Sequence, residues 1–72
     1  MTALDRMRVA TLAFTMRGYL DPLYPTSERL DLLRFARQEL TTIGVKDVHW
    51  MTYTDCLTTA ELLCGERTVQ AA

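Results

Sequence analysis

The residues that could do chemistry are few, and they are concentrated in the C-terminal half of the chain. Cys56 and Cys64 are the two cysteines, His49 is the one histidine, and Asp47 and Asp55 lie near them in sequence. Thiolate, imidazole and carboxylate groups together could bind zinc. Structural zinc sites, however, use cysteine pairs separated by two to four residues, and this chain has no such pair. We therefore expect no metal site and no cofactor.

The same residues could support nucleophilic catalysis, with a thiol as the attacking group and His49 as the base. That chemistry requires the two groups in hydrogen-bonding contact inside a pocket that excludes water. A chain of 72 residues has little volume for such a pocket. The sequence has no nucleophile elbow, no glycine-rich phosphate loop and no His-Glu-x-x-His motif, and its only serine, Ser27, stands where a helix is expected to begin. The sequence thus predicts a protein that is not an enzyme.

Length and composition predict one small globular domain over residues 1–72. Apolar residues make up 49% of the chain, charged residues 24%, and the formal net charge is −1. The longest uncharged run near the N-terminus, Val9 to Met16, is far shorter than the ~20 apolar residues that span a bilayer, and no secretory signal precedes it. If Cys56 and Cys64 share one helix, they lie about 12 Å apart along its axis, too far for a disulfide. We expect a cytoplasmic protein of prokaryotic or phage origin, with no membrane segment.

One stretch resembles a DNA-binding motif. Residues 57–69 resemble the first helix and turn of a helix-turn-helix protein, through Leu57-Thr58, Ala60, Leu62-Leu63, Gly65 and Arg67-Thr68-Val69. The resemblance implies a recognition helix in the major groove. Only Gln70, Ala71 and Ala72 remain to form it, with no basic side chain to reach a phosphate or a base edge.

DNA contacts would instead need the arginines of the central segment, namely Arg29, Arg34 and Arg37. Acidic residues interleave with them there, at Glu28, Asp31 and Glu39. A net negative charge also removes the strongest argument for nucleic acid, which requires a basic surface. A small dimeric DNA-binding transcriptional regulator is therefore the second hypothesis for function and not the first.

The N-terminal segment predicts a helix from Thr2 to about Leu20. Ala, Leu, Met and Arg dominate it, and Thr2 with Asp5 resembles a capping box. A helix with two apolar sides is either central in a core or shared with another molecule. The alternative is a buried strand over residues 7–16, because the run is uncharged and rich in Val, Thr, Leu and Phe. On a helix, the first apolar face holds Val9, Leu12, Ala13, Met16 and Leu20, and the second holds Leu4, Met7, Ala10 and Phe14.

The central segment predicts a loop and then a long helix. Asp21-Pro22 and Tyr24-Pro25 are typical of turns. A helix is expected over Ser27–Ile43, with Thr26 or Ser27 as its N-cap and Gly44 after its end. One broad face of this helix is apolar, but Phe35 falls on the polar side. Phe35 is either tucked under the Pro22–Pro25 loop or a contact residue.

The remaining segments complete an α+β prediction. Val45–Thr54 alternates bulky side chains and predicts a strand, which would pair with residues 66–70, with residues 7–16 if these are extended, or with another chain. Asp55–Cys64 predicts a short helix, capped by Thr58 or Thr59 and ended by Gly65. The predicted fold is a helix-dominated α+β domain in the order helix, helix, strand, short helix, with a C-terminal strand if residues 66–70 pair. The alternative is a βαβ-type α/β domain.

The surplus of apolar and aromatic residues predicts protein binding. Tyrosine and tryptophan are favoured at the centres of interfaces, and arginine makes planar, bidentate contacts there. The sequence predicts a non-catalytic protein-binding module, such as a small regulator or inhibitor of a larger protein. Phage proteins that block host systems are of similar size and likewise lack catalytic or metal-binding motifs. The partner is either another protein or a second copy of the chain, and the predicted partner-binding residues are Tyr24, Arg34, Phe35, Trp50 and Tyr53.

Overall fold

Three α-helices and one short 3-10 turn form the part of the chain that the structure describes. The computed structural model describes residues 2–21 and 25–65. The helices are α1 (Ala3–Gly18), α2 (Thr26–Thr42) and α3 (Tyr53–Cys64), and the 3-10 turn (Val48–Trp50) lies between α2 and α3. Helical residues make up 79% of this described part, which contains no strand. The α+β prediction and its βαβ alternative are therefore both wrong.

Helix α1 begins at the capping box that the sequence predicts. The Thr2 hydroxyl accepts a hydrogen bond from the Asp5 backbone N–H at 3.1 Å, and the Asp5 carboxylate accepts one from the Thr2 N–H at 3.2 Å. These two bonds satisfy donors that a helix start leaves without partners. The helix prediction is confirmed, and the alternative of a strand over residues 7–16 is wrong.

Helix α2 begins one residue earlier than predicted and without a side-chain cap. Pro25 is its N-cap, with φ −62° and ψ 146°, and a proline ring holds φ near this value. The prediction of Thr26 or Ser27 as the cap is therefore wrong. At the other end, Gly44 adopts φ 101°. Its N–H bonds to the Thr41 carbonyl at 3.0 Å, and the next N–H, of Val45, bonds to the Leu40 carbonyl at 2.9 Å. This pair of bonds is a Schellman motif, which confirms Gly44 as the helix stop.

The predicted strand over Val45–Thr54 does not form. Gly44 and Asp47 both have left-handed backbone conformations, with φ 101° and 61°, and two such residues so close together prevent an extended run. The following residues close a 3-10 turn, in which the Met51 N–H bonds to the Val48 carbonyl at 3.1 Å. In a strand Val48 and Trp50 would share one face; here Val48 is 5% exposed and Trp50 is 85% exposed.

Helix α3 starts two residues before the predicted Asp55. Thr52 is the N-cap, and it forms a second capping box with Asp55 through bonds of 3.1 and 3.0 Å. The prediction of Thr58 or Thr59 as cap is therefore wrong, because both lie inside the helix. Gly65 ends the helix at φ 87°, as the sequence predicts.

The core lies between the three helices, and α1 packs chiefly against α3. Polar contacts also join these helices: the Tyr53 hydroxyl donates to the Met16 carbonyl, and Arg17 forms an ion pair with Glu61. The predicted pairing of residues 66–70 and the Pro22–Tyr24 part of the predicted loop lie outside the described residues. Among the described residues, the buried core consists of Val9, Leu12, Ala13, Met16, Ala36, Leu40, Val48, Cys56, Leu57 and Ala60.

Candidate functional site

Trp50 is the most exposed large apolar side chain in the described part of the chain. It ends the 3-10 turn, and its backbone N–H bonds to the Asp47 carbonyl at 3.3 Å. The next residue is tied to α2, because the Arg37 guanidinium donates to the Met51 carbonyl at 2.7 Å. Val48, on the other side of the turn, is buried in the core. The indole therefore projects into solvent from a backbone that is anchored on both sides.

A shallow depression runs from the 3-10 turn along the outer side of α2. Phe35 lies at one end of it and His49, the residue before Trp50, lies at the other. Polar α2 side chains, Gln38 and Thr42 among them, form its floor and rim. Phe35 is half exposed. Of the predicted partner-binding residues, Phe35 lines the depression, whereas Trp50 only follows His49 in the chain and does not line it.

Arg34 stands beside this surface, on the exposed side of α2. Its guanidinium lies 4.0 Å from the Asp31 carboxylate, one turn away, and both side chains are largely exposed. Exposed pairs of this kind contribute little to stability. Arg34 is one turn from Gln38 on the same helix, but it does not line the depression.

Tyr53 has a structural environment that differs from those of Phe35 and Trp50. Its hydroxyl donates to the Met16 carbonyl, and its ring packs against the core. Burial raises the pKa of the Tyr53 phenol, Arg29 lowers it in part, and Tyr19 raises it further. The structure therefore gives Tyr53, the first residue of α3, the role of joining α3 to α1. Tyr24 lies outside the described residues.

Apart from Phe35, the residues of a second apolar surface are absent from the predicted site list. Leu4 and Met7 on α1 and Leu32 and Phe35 on α2 line an open groove of about 310 Å³, with Leu12 at its base. The sequence carried a signal for it, because Leu4 and Met7 belong to the second apolar face of the first helix. Nothing in the sequence showed which of the two faces the other helices would cover.

The thiol and imidazole groups are dispersed. Cys56 is fully buried, and burial raises the pKa of its thiol, with Arg37 lowering it and Asp55 raising it. A buried thiol with a raised pKa is a poor nucleophile. Cys64 donates to the Glu61 carbonyl at 3.3 Å, and both cysteines are free. Residues 2–21 and 25–65 contain no group of three or more His, Cys, Asp or Glu side chains placed to hold a metal ion.

No protein-family model, curated protein or solved structure matches this chain. Similarity therefore supplies no function, and inference rests on the geometry. Within the same described residues, none of the helices is both long enough and apolar enough to cross a membrane.

Proposed function

We propose that the chain is a non-catalytic protein-binding domain, a small cytoplasmic regulator or inhibitor of a larger protein. The observation that carries the proposal is the exposed indole of Trp50 on an anchored turn. Exposing a large aromatic ring to water is unfavourable, and tryptophan is the residue type most enriched among those that dominate binding energy. A function that covers the ring accounts for its position.

The partner that suits this surface is a folded protein with an apolar pocket for one indole ring. The domain presents Trp50 as a projecting knob, and the depression beside it is open and partly polar. A rigid backbone lowers the entropy lost when the side chain is captured. His49, Gln38 and Arg34 would form the polar rim that surrounds the central contact in such interfaces.

A DNA-binding regulator stays the second hypothesis, without an observation that favours it. Of the three α2 arginines it would use, Arg37 donates to the Met51 carbonyl and Arg34 lies beside Asp31. Acidic residues of the same helix lie among them. A DNA complex would be recognised by an affinity that falls steeply with salt, whereas capture of an indole would tolerate salt.

The test places a photoreactive benzoylphenylalanine at position 50, or at Lys46 as the control. Lys46 is exposed and lies in the same inter-helix segment, so both positions sample the same surroundings. We expect one discrete cross-linked protein in cells for position 50 only. Excess wild-type domain should displace it, and excess Trp50→Ala should not.

The purified partner then gives a second readout. Trp50 is the only tryptophan in the chain, so for a partner without tryptophan its fluorescence reports burial of this one ring. Binding should shift the emission to shorter wavelength and reduce quenching by acrylamide. Equal cross-linking at positions 46 and 50, or a bound state with unchanged emission, would overturn the proposal.

A further inference from the structure

The outer side of α1 carries an apolar row with the spacing of a helix–helix seam. Leu4, Met7, Thr11 and Phe14 follow one another at intervals of three, four and three residues. This alternation keeps side chains on one side of a helix and is the pattern by which helices pack side by side. All four side chains are exposed, so no helix of the described chain covers the row.

Helix α2 extends this row into a two-helix surface. Leu32 and Phe35 face Leu4 and Met7 across the groove. Leu4, Met7, Phe14 and Phe35 are 56%, 67%, 78% and 50% exposed. Leu4, Met7 and Phe35 line the groove, and Phe14 continues the row outside it. At those fractions the row and the groove together present roughly 500 Å² of apolar surface. That is the larger part of the ~800 Å² that each partner contributes to a stable complex.

The two sides of the groove carry opposite charges. Arg8 stands on the α1 side and Glu39 on the α2 side, and both line the groove. Among the described residues, neither side chain forms an ion pair. A surface with this arrangement is complementary to its own copy turned by a half rotation.

We propose that a second copy of this chain occupies the groove and forms a two-fold symmetric dimer. With the two-fold axis along the groove, α1 of one protomer lies on α2 of its partner, because the rotation exchanges the two sides. Arg8 then faces the partner's Glu39, and Glu39 faces the partner's Arg8. The four helices enclose the apolar row. Trp50 lies outside this interface, so the inference goes beyond the proposed function and does not depend on it.

The first experiment compares substitutions at two leucines of similar exposure. The measurement is the solution mass of each variant, by light scattering behind size exclusion. Leu4→Asp places a carboxylate in the groove, and Leu62→Asp places one on α3, where the leucine is 54% exposed and does not line the groove. An unpaired buried charge should raise the dimer dissociation constant about a hundredfold or more. Leu62→Asp should stay dimeric.

The helix dipole helps to distinguish loss of the dimer from loss of the fold in these two variants. Aspartate is favourable near a helix N-terminus and unfavourable near a C-terminus. Position 4 is at the start of α1 and position 62 is near the end of α3. If loss of the dimer came from loss of the fold, Leu62→Asp would be the more damaged variant. Circular dichroism of both variants checks the fold directly.

The second experiment tests which residues face one another. Arg8→Glu and Glu39→Arg should each weaken the dimer about tenfold or more, because each brings like charges together twice. An equimolar mixture of the two variants should recover a dimer. In that heterodimer one protomer carries two glutamates and the other two arginines, so both pairs are opposite in charge. If each substitution only damaged its own protomer, mixing the two variants would not restore a dimer.

The outcomes separate this inference from the proposed function. A wild-type chain that is monomeric at every soluble concentration overturns the dimer, and so does a mixture that fails to recover it. If a peptide helix or another protein occupies the groove instead, the wild type alone is monomeric and the inference is wrong. The Trp50→Ala variant should still have the solution mass of a dimer. Dissociating the wild-type dimer by dilution should leave the fluorescence emission of Trp50 unchanged.

Discussion

The two sides of α1 have similar apolar composition and very different surroundings. The inner side is buried against α3, and the outer side is exposed. The inner side holds Val9, Leu12, Ala13 and Met16, and the outer side holds Leu4, Met7 and Phe14. Both sides follow helical spacing. The difference teaches that an amphipathic pattern reports where a helix can be covered. What covers it depends on the position of the other elements.

The largest expected effect is a difference in the free energy of unfolding between a variant of the inner side of α1 and a variant of its outer side. Met16→Ala should lower the free energy of unfolding by about 2–4 kcal/mol, because a fully buried side chain leaves a cavity. Phe14→Ala removes a larger side chain. Because that ring is exposed, the free energy of unfolding of the monomer should change by less than about 0.5 kcal/mol. Urea titrations followed by circular dichroism, at concentrations where dilution does not move the midpoint, give both values. Equal losses would contradict the burial of one side only.

A smaller effect is expected where α3 is joined to the inner side. Tyr53→Phe removes the hydroxyl that donates to the Met16 carbonyl, which should lower stability by about 1 kcal/mol. The N–H groups of Tyr19 and Leu20 bond to other carbonyls, so neither replaces the lost hydroxyl. The loss should still stay below that of Met16→Ala, because no cavity is created. A loss as large as the cavity variant would show that Tyr53 does more than this one contact.

The same substitution should change the alkaline limb of the stability curve. Burial raises the pKa of Tyr53 above its ordinary value of 10.0, against an opposing effect of Arg29. Above that value the unfolded chain loses the phenolic proton while the folded chain retains it. Stability is therefore full below pH 10.0 and falls as pH rises through the folded pKa. Unfolding titrations on both sides of this pH should show a shallower alkaline fall for Tyr53→Phe than for the wild type.

The smallest effect compares the two capping boxes. Thr52→Ala and Thr2→Ala each remove one side-chain cap and should cost about 0.5–1 kcal/mol. Thr2→Ala should cost less, since α1 can fray at its start without exposing the core. Thr54→Ala, an exposed threonine in the first turn of α3, is the control and should change stability by a few tenths of a kcal/mol. A larger loss from Thr2 than from Thr52 would reverse this ranking.

The helices were predictable because their signals are local. The Thr2 capping box and the helix stops at Gly44 and Gly65 each depend on a few neighbouring residues. The strand over Val45–Thr54 was a wrong prediction because alternation alone does not report backbone reversal. Gly44 and Asp47 turn the chain, and Thr52 starts α3 before a strand could continue.

The candidate site was predictable only in part. Trp50 and Phe35 were predicted as contact residues. Both are exposed, and Phe35 lines a depression that ends at His49, the residue before Trp50, while their role in binding stays a prediction. Tyr53 was predicted on residue type alone and proves to join α1 to α3. The groove with Leu4 and Met7 requires the placement of α2 beside α1. That placement depends on contacts between distant parts of the sequence, which no local pattern reports.

The packing of α1 on α3 also has a consequence for synthesis on the ribosome. The contacts that join them link residues far apart in sequence, such as Met16 with Tyr53 and Arg17 with Glu61. The nascent chain therefore cannot bury the inner side of α1 until α3 has left the exit tunnel. Until then both apolar sides of α1 are open to chaperones, and a ribosome stalled before α3 would display an unfolded segment.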